Sequence, residues 1–327
     1  MQIFSNANYN FIRWRWQALA LSMLVVVAGG VAIWTKGMPL GIEFSGGTQM
    51  IVKFKGDVSE QQVRDAVAGF PGDEVVQQYG ARTENEILIR LEQTGEEKDA
   101  GLEQTSQEVQ KVLQSAKLPA FELRSRELVG PTIGEDLQKR GIYSVLASLI
   151  AITIYIGVRF RFSFAVGAIA ATFHDVLVTL AFLVFFGYEL SLNIVAAILT
   201  ITGYSVNDTI VIFDRVRENL KSRRREPLDA VVNLSVNQTL GRTVITAGTT
   251  FLSVLALYLF GGEALRGFAF TMIVGIISGT YSTIFIASSI AIILSQRRKS
   301  PPAGAAPASA SPPVAGAKAK QKKARAS

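Results

Sequence analysis

Cysteine is absent from this chain of 327 residues, and histidine occurs once, at His174. Without thiols there can be no disulfide, no thiolate metal site and no cysteine nucleophile. A single imidazole leaves no histidine cluster to hold a metal. Lys and Arg are missing from two short segments, GYELS at 187–191 and GGEAL at 261–265. No convincing A-x-A cleavage site follows the first apolar run before Lys36. That favours an uncleaved anchor over a secretory signal peptide.

Apolar residues are what the chain has in quantity: 49% are hydrophobic and the mean hydropathy is +0.30. Runs of about 18 or more apolar residues are long enough to cross a bilayer. Six are present, at Gln17–Trp34, Ile142–Val158, Phe164–Phe186, Leu192–Phe213, about Asn237 to Phe260, and Gly267–Leu294. The chain is therefore expected to be a polytopic α-helical membrane protein. Its formal charge of +7 is unevenly spread, because residues 35–135 hold 11 Lys and Arg against 17 Asp and Glu. The cations lie at span ends, so orientation explains them better than nucleic-acid binding, and no specific nucleic acid is expected.

Arg13 and Arg15, Arg159 and Arg161, the run from Arg215 to Arg225, and Arg297–Lys299 all fall on one side of the alternating spans. The two segments lacking Lys and Arg fall on the other. This asymmetry predicts that both termini are cytoplasmic. Lys139 and Arg140 break the rule, but Glu135 and Asp136 offset them locally. The expected organisation is a cytoplasmic N-terminus at 1–16, a first helix at 17–34 and an extracytoplasmic domain at 35–138. Five further spans follow within 139–299, with a basic cytoplasmic loop at 214–236. Residues 300–327, rich in Pro, Ala and Ser and ending in a basic cluster, cannot bury a core and are expected to be disordered. A solubilising tail and a contact with anionic lipid or ribosomal RNA both fit that composition.

The 35–138 segment carries its own pattern. TQMIVKF alternates as a half-buried strand does, and SEQQVRDAVAGF opens with a capping box at Ser59 and Gln62. DEVVQQY and NEILIRLE predict two more strands, Ala100–Ala116 a second helix, and AFELRSREL a last strand. The order β-α-β-β-α-β is that of a ferredoxin-like α+β domain. Its carboxylates are spread as a solvated surface, with no catalytic grouping.

Ionisable residues inside the spans need a reason, since a charge at the centre of a membrane helix costs about 2.5–3.5 kcal/mol on insertion scales. Asp208 lies six residues before Asp214, roughly 9 Å inside the basic boundary at about 1.5 Å per residue. Arg242 lies at a similar depth in the next, antiparallel span. The two can pair, either as a static glue between helices or as a protonatable carboxylate gated by the arginine. Asn207 adjoins Asp208. Thr239, Thr243, Thr246, Thr250 and Ser253 recur at spacings of 4, 3, 4 and 3. That stripe fits helix packing alone, and fits a hydrated path when taken with Asp208 and Arg242. Gly267, Thr271, Gly275 and Gly279 form a small-residue packing face. His174 and Asp175 sit well inside the third span and point about 100° apart, so one of them faces any polar path. Proton handling and an interhelical hydrogen bond are both open to that pair.

Four stretches carry a family resemblance: GIEFSGGTQM after the first span, HDV in the third, GYSVNDTIVIFDRVRENL in the fourth, and NQTLGRTVITAGTT entering the fifth. In that order, over residues of about 11 to 297, the chain resembles the SecD/SecF family of bacterial export proteins, on the SecF side. The resemblance implies one half of a transporter of the resistance–nodulation–division type in the bacterial inner membrane, paired with SecD. It implies work with the SecYEG channel and SecA, and with YajC and YidC, on preprotein substrates. The drive is the proton-motive force, with no cofactor and no enzymatic activity. Asp208 and Arg242 match the family's intramembrane proton-conducting pair, and Gly46–Gly47 is either a hinge toward the external domain or a tight turn into its first strand. A small-molecule exporter half of the same superfamily and a passive translocon scaffold are the competing functions. An intramembrane aspartyl protease would need a G-x-G-D arrangement, which GYSVND lacks.

Overall fold

The computed structural model describes residues 7–70, 74–80, 82–91 and 99–299. The 300–327 tail and residues 1–6 lie outside the described residues. Among the described residues, six helices are long and apolar enough to cross a membrane: Ile12–Lys36, Pro131–Arg159, Phe162–Phe186, Leu192–Ser222, Leu228–Phe260 and Glu263–Gln296. The first includes α1 (Arg15–Lys36); the next four are α5, α6, α7 and α8. The last comprises α9 (Glu263–Ser282), a π-helical segment at Thr283–Ala287, and α10 (Ser288–Lys299).

Between α1 and α5 lie a short helix α2 (Ile42–Ser45) and the strands and helices of a small α+β domain. These are β1 (Gly47–Phe54), α3 (Glu60–Val67), β2 (Glu74–Tyr79), β3 (Glu86–Leu91), α4 (Asp99–Ser115) and β4 (Phe121–Val129). The sheet order is β2-β3-β1-β4 with every neighbour antiparallel, so β3 is inserted between β1 and β2, the split βαβ arrangement. The alternation in β1 puts Met50, Val52 and Phe54 into a core with Val63 and Val67 of α3 and Val109 and Leu113 of α4. Both arms of the capping box form at Ser59 and Gln62.

The helices outrun the apolar stretches that announce them. The predicted basic loop 214–236 is mostly helix: α7 continues to Ser222 and α8 begins at Leu228. Hydropathy marks where lipid ends, not where the backbone ladder ends. Beyond that point Asn219 donates to Ser235 at 2.8 Å and to Gln238 at 2.9 Å, pinning the two helices together. Asn233 and Asn237 clamp the N-terminal segment, for instance through Tyr9 N–H to Asn237 at 2.8 Å and Phe11 N–H to Asn233 at 2.9 Å. At the opposite side α5 starts at Pro131, eight residues before the predicted boundary. Its first turns carry the offsetting pairs Lys139–Glu135 (2.6 Å) and Arg140–Asp136 (2.7 Å).

The small-residue face of the last span packs on α7. A Cβ at Gly275 would lie 2.3 Å from Ile201 Cδ1, and one at Gly279 2.9 Å from Ser205 Cβ. Gly275→Val is therefore expected to overpack this contact at a cost of about 1–3 kcal/mol, lowering the apparent melting temperature of the detergent-solubilised chain. An unchanged melting curve would contradict the contact.

The α+β domain is tied to the membrane helices at the loop between α6 and α7. Leu40 and Leu190 form a parallel bridge, with Gly41 N–H to Leu190 C=O and Leu190 N–H to Pro39 C=O both at 2.7 Å. Arg90 of β3, only 5% exposed in its side chain, reaches Glu189 at 2.5 Å and the Leu40 carbonyl at 3.1 Å. Burial first, and then the Glu263 carboxylate, hold the Tyr79 hydroxyl above its ordinary pKa, which brings the second cation-free loop to the same side.

Candidate functional site

Asp208 sits on the inward face of α7 and is 4% exposed, with its Oδ2 buried and without a hydrogen-bond partner among the described residues. Tyr204, one turn earlier, lies close enough to feel its charge. Thr243 Oγ1 on α8 is likewise buried and unpartnered. A buried polar atom left without a partner costs about 1–3 kcal/mol, so α7 and α8 each carry an unmet polar demand at these positions.

Arg242 belongs to the exposed face of α8, and Asn207 to the exposed face of α7. Among the described residues no ion pair within 4.0 Å joins Asp208 to Arg242. The guanidinium nonetheless lies near enough to act electrostatically on the carboxylate. Residue counting predicts one depth for the two, and their exposure puts Asp208 on the inner face of α7 and Arg242 on the outer face of α8. Thr246 is half-buried one turn beyond Arg242. The hydroxyl stripe largely folds back on its own helix: Thr239 donates to the Ser235 carbonyl at 3.0 Å, Thr250 to Thr246 at 2.9 Å and Ser253 to Thr249 at 3.0 Å. Those three donors are committed, whereas among the described residues the Thr243 and Thr246 hydroxyls make no such bond. Arg242, Asn207, Thr249 and Ser253 all lie exposed on this lateral face, where an arginine facing lipid would be costly. Such a face calls for a polar partner surface.

Asp175 lies elsewhere, on the side of α6 that meets α7 and the last span, and is 1% exposed. Three serines converge on it. Ser205 donates to Oδ2 at 2.6 Å, Ser282 to Oδ2 at 2.7 Å and Ser278 to Oδ1 at 2.7 Å. His174 Nδ1 lies 3.1 Å from Oδ1. The two polar centres are separate but share α7, because Ser205 is three residues from Asp208. Thr209, next to Asp208, meets Thr283 of the π segment at 2.9 Å. None of the serines was a sequence candidate; the only local signal was the four-residue spacing of Ser278 and Ser282.

Gly46 and Gly47 both have positive φ, 75° and 119°, which glycine adopts without strain. Gly46 packs against the start of α5: its Cβ would lie 3.1 Å from Pro131 Cα, and one at Gly134 would lie 3.2 Å from Gly46 N. Geometrically the pair is a turn pressed on a helix N-terminus.

The family described as protein export membrane protein SecD/SecF, C-terminal, matches residues 108–297, and the SecD/SecF GG motif matches residues 31–58. The chain is 42% identical to protein translocase subunit SecF of Rhodothermus marinus, over 91% of this chain and 96% of that one. It is 37% identical to the SecF subunit of Escherichia coli O157:H7, over 89% of each. Crystal-structure similarity is to SecDF, a translocon-associated membrane protein from Thermus thermophilus, at a TM-score of 0.80 and 33% identity over 91% of this chain. SecDF in a super-membrane-facing form aligns at 0.66 and 35% identity. The chain spans 40% of the length of either SecDF chain. On the order of its helices, its split βαβ domain and these likenesses, the chain belongs to the SecF family of protein translocase subunits.

Proposed function

We propose that this subunit pairs with SecD through the polar face of α7 and α8, and that Asp208 carries protons whose passage down the proton-motive force drives preprotein movement through SecYEG. The observation that carries this reading is the pairing of a buried, partnerless Asp208 Oδ2 with an Arg242 left exposed beside it. A structural ion pair would be closed, whereas among the described residues these two groups form none. With the positive residues cytoplasmic, the α+β domain lies on the outer side of the membrane, where ATP is lacking and work must come from the membrane itself. One charge crossing the potential supplies about 2.3 kcal/mol per 100 mV.

In this cycle a proton entering from the outer side neutralises Asp208 and frees it from the field of Arg242. The α7–α8 contact then shifts. Because α7 begins at the loop that Arg90 and Leu40 grip, the shift reaches the sheet directly. Gly46–Gly47 gives a second route at the end of α2. SecA works on the cytoplasmic side, and YajC and YidC complete the set of partners. No resident cofactor enters the scheme.

Asp208→Asn tests it, since the amide keeps size and hydrogen bonding while losing titration. The expected result is an unchanged level of complex with SecD and loss of potential-driven export in inverted vesicles. Full export at normal abundance would overturn the carrier role, and loss of abundance would favour the scaffold.

A further inference from the structure

We infer that His174, oriented by Asp175, is a second proton-binding site within the membrane helices, distinct from Asp208. With Asp175 ionised, its oxygens only accept hydrogen bonds, and the contact at 3.1 Å then places the imidazole proton on Nδ1. A neutral ring then carries its lone pair on Nε2. That atom is buried and has no hydrogen-bond partner among the described residues, in a side chain 10% exposed. A base held in one tautomer by a fixed carboxylate, with its other nitrogen empty, is arranged to take up a proton.

The carboxylate is fixed to an unusual degree. Ser205 from α7 and Ser278 and Ser282 from α9 hold both of its oxygens, so rotation of Asp175 would break contacts to two other helices. Proton balance is simple: Asp175⁻ with neutral His174 carries one negative charge, and a proton bound at Nε2 makes an imidazolium–carboxylate pair of zero net charge. No covalent bond changes.

His174 also borders a cavity of about 290 Å³ between α1, α6 and α9, whose polar members are Ser22, Ser278 and Tyr281. Ser22 and Tyr281 hydroxyls are 3.2 Å apart, and the Tyr281 and His174 rings are 6.3 Å apart. Its lining comes from α1, α6 and α9 and includes no residue of α7 or α8.

Other ionisable groups on the packed elements are few. Tyr281 on α9 faces the ring, and Asp208 on α7 lies beyond Ser205. Arg15, just before the cavity-lining part of α1, is paired with Asp229 at 3.0 Å, and Arg159 at the end of α5 with Asp214 at 2.7 Å. Neither arginine is within 4.0 Å of Asp175. Uptake at His174 would therefore cancel the charge that the three serines hold, loosening Ser282 where the last span changes to π geometry at Thr283. Helical irregularities of this kind recur at functional sites.

The single histidine makes the test direct. Full-length chain purified without a histidine tag, labelled with ¹⁵N-histidine and placed in lipid nanodiscs, gives imidazole signals from one residue only. The expected spectrum shows the Nδ1–H tautomer at alkaline pH and both nitrogens protonated on acidification, reversibly. Nitrogen shifts that stay constant across the range in which the protein remains folded would overturn the inference, as would an Nε2–H tautomer. The same titration in Asp208→Asn should persist, and its loss would merge the two sites into one. His174→Asn, whose amide can still donate to Asp175, should keep the chain's abundance and remove a pH-dependent step from proton flux in reconstituted vesicles. If Asp208→Asn exports normally while His174 titrates, the proposed carrier fails and this site stands.

Discussion

Asp175→Ala is expected to abolish accumulation of the folded chain in the membrane. The substitution strips the acceptor from Ser205 and Ser278, whose hydroxyls make no other hydrogen bond among the described residues, and from His174 Nδ1. Ser282 retains the Gly279 carbonyl at 3.2 Å and suffers less. At about 1–3 kcal/mol for each buried group left unsatisfied, the sum is a large part of the roughly 5–15 kcal/mol by which a typical fold is stable. The loss also falls at the meeting of three helices, where no side chain can relax toward water. Asp175→Asn should be milder, since it keeps the shape and one acceptor oxygen but turns an amide donor toward a serine donor. Membrane abundance by quantitative blot and melting in detergent measure both. Wild-type levels for the alanine variant would mean that the serines repartner at little cost.

Arg90→Glu should detach the α+β domain from the membrane helices. Removing one member of a buried ion pair costs about 3–5 kcal/mol, and here Arg90 is 5% and Glu189 25% exposed in their side chains. Charge reversal adds repulsion between two carboxylates and turns a third acceptor, the Leu40 carbonyl, against them. The double variant Arg90→Glu with Glu189→Arg should recover part of the loss, which a purely steric effect would not. The cysteine-free chain offers a clean reporter. Cysteines at Leu40 and Leu190, which share a backbone bridge, should cross-link efficiently in the parent, poorly with Arg90→Glu and again in the swapped pair. Equal cross-linking in all three would show that the backbone bridge alone holds the domain.

Hydropathy and strand alternation were enough to recover the six spans and the sheet, because lipid and a small core each impose a repeating rule on neighbouring residues. The capping box at Ser59 and the charge pairs around Lys139 and Arg140 are local too, and were equally legible. What lay beyond reach depends on rotation and on distant partners. Residue counting placed Asp208 and Arg242 at one depth, but their azimuths leave the guanidinium on the outer face of α8. Serines are common in membrane helices, so nothing in the chain marks Ser205, Ser278 and Ser282 as meeting on one carboxylate. The clamp of Asn233 and Asn237 on Tyr9 escaped for a different reason: it lies past the apolar stretch, where polarity looks like loop.

The serine cage has a consequence for how the protein is made. Ser278 and Ser282 follow Asp175 by 103 and 107 residues. At a synthesis rate of about 5–20 residues per second, the third span exists for roughly 5–20 seconds before the last two of its hydroxyl partners have been translated. During that interval a bare carboxylate would weigh against its insertion by about 2.5–3.5 kcal/mol. The nascent span must therefore either take up a proton on Asp175 or wait beside the insertion machinery until the final helix arrives, which makes the ribosome's pace part of the assembly of this membrane core.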